Sequence, residues 1–174
     1  MKSRLGYILL LIVLFTYANV NAQDKILVKY FMHTTCPISQ KYTLTIHEIA
    51  KKFQNKPVQF ELVFLDIKKA NQLKEVKSFL QKYQLNIPYK TYSNTDYATT
   101  MGVKVTPEVL VVYNQQIQYQ GAIDDWFIDW GKNKKQPEQF YLINALNSLL
   151  SNQTVWIKKT NAIGCLIELK SKMN

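Results

Sequence analysis

The stretch Ile26-Leu27-Val28-Lys29-Tyr30-Phe31-Met32, running into His33-Thr34-Thr35-Cys36-Pro37-Ile38-Ser39, decides the fold. Its first seven residues are apolar apart from Lys29, the composition of a strand buried on both faces. Pro37 suits the first position of a helix, because the N–H that proline lacks would have no intrahelical partner there. From Ile38 onward Tyr42, Ile46, Ile49, Ala50 and Phe53 recur at helical spacing, so a helix is predicted over Pro37–Phe53. Cys36 therefore stands where a strand hands over to a helix. Unsatisfied amides and the helix dipole favour an anion there, and such a cysteine ionises more readily than an ordinary thiol. Three residues on, where a second cysteine would complete a local dithiol pair, the chain has Ser39.

Working outward, Val58–Asp66 alternates and then runs apolar, which predicts a second strand. Leu73, Val76, Phe79, Leu80 and Tyr83 mark an amphipathic helix over Asn71–Tyr83, followed by a short extended piece at Pro88–Thr91. Thr95–Met101 reads as a brief helix stopped at Gly102. Glu108–Tyr113 is a third strand, Asn114-Gln115 a tight turn, and Gln116–Gln120 its hairpin partner. A loop over Gly121–Gln136 carries Trp126 and Trp130 among aspartates, and a last helix is predicted from Pro137 to Leu150. A tail over 151–174 contains Cys165. Strands alternating with helices imply parallel pairing, and the late hairpin adds an antiparallel edge. The expected fold class is α/β, a mixed central sheet flanked by helices on both faces.

Residues 1–22 read as an export signal: Lys2 and Arg4, then an apolar stretch over 5–17, then Val20-Asn21-Ala22 before a cut. That stretch is shorter than the roughly 20 residues a spanning helix needs. The expected mature domain is 23–174, in the periplasm or outside the cell, with a membrane anchor as the alternative if residues 5–17 stay uncleaved. The formal charge of +10 falls by two when Lys2 and Arg4 leave. Arg4 is the only arginine, and the lysines are scattered. Phosphate and guanine recognition lean on arginine's bidentate fork, so no nucleic-acid partner is expected. Export places Cys36 and Cys165, the only cysteines, in a disulfide-permissive compartment. A single structural bridge closing this long loop would be worth on the order of 4–5 kcal/mol by chain entropy.

Taken together, Thr34-Thr35-Cys36-Pro37-Ile38-Ser39 after a strand, and Gly102-Val103-Lys104-Val105-Thr106-Pro107 before one, resemble a thioredoxin fold of the redoxin (AhpC/TSA-like) branch. Within that branch, Cys36-Pro37-Ile38-Ser39-Gln40-Lys41-Tyr42-Thr43, Thr106-Pro107-Glu108-Val109, Tyr119–Asp125 and Ala162-Ile163-Gly164-Cys165 resemble exported redoxin-domain proteins, which usually open on Cys-Pro-x-Cys. The resemblance implies a cis bond at Thr106–Pro107, facing the reactive cysteine. It also implies that the helix and strand between Asn71 and Thr91 are the redoxin-type insertion. It implies thiol–disulfide chemistry with Cys36 as nucleophile, Cys165 as candidate resolving thiol, Ser39 and Thr35 beside them, and Pro37, Thr106 and Pro107 on the substrate side. The partners would be protein or small-molecule thiols and disulfides, with an external reductant and no cofactor.

Ser39 removes the local resolving step, leaving Cys165 as the only intramolecular thiol for that task. Ser39 is also a candidate hydrogen-bond donor to the thiolate. A catalytically reduced binding or scaffold module is the alternative from another class. An atypical thiol peroxidase would lack the usual residues: His33 and Lys29 occupy the motif positions, and the mature chain has no arginine. Met32, His33, Cys36 and His47 raise a copper-handling reading, but His47 falls nearly three turns into the predicted helix, so no metal site is expected. Trp126 and Trp130 either form a recognition loop or cover the core edge.

Overall fold

The computed structural model describes residues 25–168. The expected export segment and residues 169–174 lie outside them. The strand β1 (Ile26–Met32) is followed by helices α1 (Pro37–Lys41) and α2 (Thr43–Lys52), strand β2 (Val58–Phe64), helix α3 (Ala70–Lys82) and strand β3 (Tyr89–Thr91). Then come α4 (Asp96–Met101), β4 (Val105–Thr106), β5 (Glu108–Tyr113), β6 (Gln116–Gly121), β7 (Phe127–Asp129), β8 (Lys132–Asn133), α5 (Tyr141–Leu150) and β9 (Cys165–Leu166). The main sheet has the order β3-β2-β1-β5-β6, with β1, β2 and β3 parallel and β5 and β6 antiparallel to their neighbours. The mixed sheet flanked by helices is thus the observed architecture. Among the described residues no helix is long and apolar enough to cross a membrane.

Alternation along the strands explains the layers. Val28, Tyr30 and Met32 of β1 join Leu62 and Phe64 of β2 on one face, against Ile46, Val76, Phe79, Leu142 and Leu146 from α2, α3 and α5. Phe31 and Val63 face the other way, onto Ala98 of α4, Val103 and Leu110. Burying each such side chain is worth roughly 1.5–3 kcal/mol. Lys29 interrupts the apolar run because it has a dedicated partner. Its Nζ lies 2.6 Å from Oε1 of Glu61, the residue directly opposite on β2, and Lys90 reaches the other carboxylate oxygen at 3.1 Å. Burial pushes Lys29 down, but Glu61 and Tyr97 outweigh it and raise its pKa. A one-residue slip of β2 would leave both charges buried and unpaired, so the pair fixes register.

Three boundaries differ from the sequence expectation. The helix predicted over Pro37–Phe53 breaks at Tyr42, where the Thr43 hydroxyl donates to the Gln40 carbonyl at 2.8 Å and the Tyr42 hydroxyl is tied to Asp124 at 2.6 Å. The last helix begins at Tyr141, not Pro137, because the Asp125 carboxylate accepts the Glu138 and Gln139 amides at 2.7 and 2.9 Å and holds that segment out of the helix. Within Gly121–Gln136, Phe127–Asp129 and Lys132–Asn133 pair as a small hairpin. The turn at Asn114-Gln115 has φ of 50° and 61°, matching the twist of the strands it joins.

Tyr30 sits fully buried at the centre of the sheet, and its hydroxyl has no hydrogen-bond partner among the described residues. A buried hydroxyl left unmatched costs about 1–3 kcal/mol. Tyr30→Phe is therefore expected to raise the unfolding free energy by about 1 kcal/mol in urea titration; a loss of stability would show that this hydroxyl is satisfied in solution.

Candidate functional site

Cys36 closes the loop after β1 and caps α1, with extended backbone (φ −72°, ψ 118°) and Pro37 at the first helical position. Its carbonyl accepts the Gln40 N–H at 3.0 Å, and its sulfur faces the Ser39 N–H at 3.5 Å. Ser39 is fully buried, and its hydroxyl accepts the His33 N–H at 3.4 Å. The group that Ser39 turns to the sulfur is thus its amide, while the hydroxyl braces the loop. Thr35 closes on His33, hydroxyl to Nδ1 at 3.0 Å, and Gln40 Nε2 donates to the Thr34 carbonyl at 2.8 Å. The helix is interrupted for one residue at Tyr42, which keeps helical backbone and bonds back to the Ile38 carbonyl at 3.1 Å.

The opposing wall is the segment before β5. Gly102 ends α4 with φ of 69°. The Lys104 N–H donates to Glu108 Oε2 at 3.0 Å, and Gln120 Nε2 donates to Glu108 Oε1 at 2.8 Å and to the Gly102 carbonyl at 2.9 Å. These bonds fold the segment back toward β1. The Thr106–Pro107 bond is cis, and the Thr106 carbonyl oxygen lies 3.0 Å from Cys36 Sγ.

The tail completes the site. β9 runs antiparallel to β4, with Cys165 opposite Thr106 and Leu166 opposite Val105. The Ile167 N–H donates to the Lys104 carbonyl at 2.9 Å, and the Thr95 hydroxyl donates to the Glu168 carbonyl at 3.2 Å. Cys36 and Cys165 are joined as a disulfide with Cα atoms 6.0 Å apart, inside the usual range. Bonded sulfur has no proton, so its approach to Thr106 is a sulfur–oxygen contact. After reduction the Cys36 thiol can donate to that carbonyl, which favours the neutral form, while the Ser39 amide favours the thiolate. Beside the pair lies a cavity of about 510 Å³ lined by Met32, His33, Thr35, Thr106 and both cysteines, among others.

A thioredoxin-like family model matches residues 24–117. The chain belongs to the thioredoxin-like family. No curated protein matches it. Among solved structures, an uncharacterized conserved protein from Geobacillus kaustophilus is similar with a TM-score of 0.73 at 22% identity, over 86% of this chain and 79% of that one. A hypothetical protein from Sinorhizobium meliloti also reaches 0.73, at 19% identity over 84% and 80%. StoA from Bacillus subtilis is similar at 0.50 and 14% identity, over 58% and 75%. At these identities the likeness is one of fold.

In this thioredoxin-like protein Cys36, Cys165, Thr35 and Thr106 line one cavity, and Ser39 contacts the Cys36 sulfur through its amide. Pro37 is exposed at the start of α1, whereas Pro107 is buried behind Thr106. Met32 and His33 also line the cavity; His47 is exposed on α2 and does not. Among the described residues no three His, Cys, Asp or Glu side chains are grouped to hold a metal ion. Trp126 packs edge-on to Tyr42, with ring centroids 5.5 Å apart, and Trp130 is exposed; neither lines the cysteine cavity. Sequence reading missed the positioning roles of Glu108, Gln120 and Gly164. A carboxylate opening the apolar run Glu108–Tyr113 was the available signal for the first, since a buried carboxylate needs donors.

Gly164 is required by close approach. A Cβ there would overlap the Thr106 carbonyl oxygen and sit 2.7 Å from the carbonyl carbon. Overpacking of this kind costs about 1–3 kcal/mol, and in Gly164→Ala it falls on the docked, disulfide-bonded tail. The variant's disulfide should be easier to reduce by about tenfold, or ~30 mV, in a glutathione redox titration. An unchanged potential would mean the tail docks equally well without that approach.

Tyr42 and Asp124 anchor the turn that carries Cys36. Burial raises the Asp124 pKa, and the Tyr42 hydroxyl and Trp126 amide only partly oppose it. The folded chain thus holds this proton more tightly than the unfolded one. The stabilisation from Asp124 is full below the unfolded value, about 3.9, and is lost as pH rises through the folded value. Tyr42→Phe removes a donor to the carboxylate, so its stability deficit should be larger at pH 7, about 1–3 kcal/mol, than near pH 3.5. Equal deficits at both pH values, measured by denaturant unfolding, would sink this account.

Proposed function

We propose that this thioredoxin-like protein is a thiol–disulfide oxidoreductase whose redox couple is Cys36–Cys165. The observation that carries the reading is the bond itself: Cys165 stands on the Cys36 sulfur in place of the second cysteine that Ser39 displaces from the local motif. In the reduced protein the Cys36 thiolate attacks one sulfur of a substrate disulfide, forming a mixed disulfide and expelling the other sulfur as thiolate. The Cys165 thiolate then attacks Cys36 Sγ, closing the internal disulfide and releasing the second substrate thiolate. Substrate gains two electrons and the protein loses two. An external thiol reductant returns it to the dithiol form, and no cofactor takes part. Ser39 contributes its amide to the Cys36 thiolate, and Thr106 lends the opposite wall. The partners are protein or small-molecule thiols and disulfides, met in the periplasm or outside the cell after removal of residues 1–22.

A second reading is favoured by the burial of Cys36, which is only 2% exposed. The bond would then be a static tie between the tail and β1, on a fold that serves as a binding or scaffold module.

The two readings separate on variants. For the redox couple, Cys36→Ser abolishes disulfide reduction, whereas Cys165→Ser accumulates a mixed disulfide on Cys36 with turnover lost. The mixed disulfide is read by mass spectrometry after exposure of the reduced variant to substrate disulfide with reductant removed, and turnover is read separately with reductant present. For a static tie, both substitutions lower thermal stability alike, and no mixed disulfide forms.

A further inference from the structure

The two sulfurs of the Cys36–Cys165 bond are unequal. Cys36 is 2% exposed and packs within the main core cluster, between the Ser39 amide and the Thr106 carbonyl. Cys165 is only partly buried, follows a residue without a side chain, Gly164, and precedes Leu166, which is 83% exposed. A thiolate attacks a disulfide in line with the bond it breaks, so the attacked sulfur must be open on the side away from its partner. Both cysteines border the cavity, but Cys36 has almost no exposed surface while Cys165 keeps some, so an approaching thiolate has more room at Cys165. The Ser39 amide offers the departing Cys36 thiolate a donor, against the opposing Thr106 carbonyl, so the argument rests on access.

We infer that external thiols open the oxidised protein at Cys165 and expel Cys36. This rests on the reading of Cys36–Cys165 as a redox couple and assigns its two sulfurs different traffic. The incoming thiolate RS⁻ forms a bond to Cys165 Sγ. The Cys36–Cys165 bond breaks, and its electron pair goes to Cys36 as thiolate, facing the Ser39 N–H. A second thiolate, from the same dithiol or another monothiol, attacks the R sulfur. The external disulfide forms, Cys165 leaves as thiolate and takes up a proton, and two electrons have entered the protein. With the bond open, β9 is held by its short pairing with β4 and the contacts of Ile167 and Glu168. Displacing this strand uncovers Cys36 for the substrate disulfide. Electrons then enter at Cys165 and leave at Cys36, unlike a local dithiol motif in which one sulfur serves both directions.

The test uses the oxidised full chain under native conditions, pulsed briefly with glutathione, quenched with acid, alkylated with N-ethylmaleimide and mapped by peptide mass. Glutathione is expected on Cys165 and maleimide on Cys36, in excess over the reverse pattern by about tenfold or more. Equal labelling, or glutathione chiefly on Cys36, overturns the inference while leaving the redox couple intact. A disulfide that glutathione opens only after denaturation overturns the redox couple and this inference together.

Discussion

Strand β1 is hydrogen-bonded along both edges and buried on both faces, and the rest of the molecule is arranged around it. Its parallel partner β2 and antiparallel partner β5 leave it no freedom of register. The Lys29–Glu61 pair adds an electrostatic penalty to any slip. A strand fixed in this way delivers its last residue, Met32, and the following turn to one place at the end of the sheet. Cys36 therefore starts its helix against a rigid base, and the loop before it is braced by His33, Thr35, Ser39 and Gln40.

The second wall depends on polar groups that the hydrophobic layers could not position alone. Glu108 is buried beside β1 and is satisfied by the Lys104 amide and the Gln120 side chain. Together they bend Gly102–Pro107 so that the Thr106 backbone presents one face to Cys36 and one to β9. A backbone edge of two residues is too short to hold a strand firmly. The disulfide supplies what the pairing lacks, and closing so long a loop is worth on the order of 5 kcal/mol by chain entropy. The same shortness leaves the tail weakly held when the bond is open.

Charge and aromatic packing on the far side of α1 set the orientation of the turn that follows Cys36. Tyr42 interrupts the helix to reach Asp124, while Trp126 and Phe127 close around its ring. Asp125 holds Glu138 and Gln139 out of the last helix. Its carboxyl is raised by burial but lowered further by the Gln139 amide and Lys134, to about 2. The tryptophan loop thus serves the core edge beneath α1 and lies away from the cysteine cavity.

The strands of the main sheet, the alternation of elements and the place of Cys36 were legible in the sequence because hydrophobic period and the Cys-Pro junction are local signals. Glu108–Tyr113 and the Asn114-Gln115 turn were readable residue by residue for that reason. The break at Tyr42 and the late start at Tyr141 were not, since each is imposed by a carboxylate distant in sequence, Asp124 in one case and Asp125 in the other. The sequence by itself determined a strand–cysteine–helix junction, a mixed sheet and the absence of a second cysteine at Ser39. Only the tertiary structure decided that Cys165 meets Cys36, that Gly164 allows it, and that Cys36 is buried while Cys165 is only partly so. Those facts depend on how a distant tail packs across an edge strand, and neither hydrophobic period nor residue spacing encodes such packing.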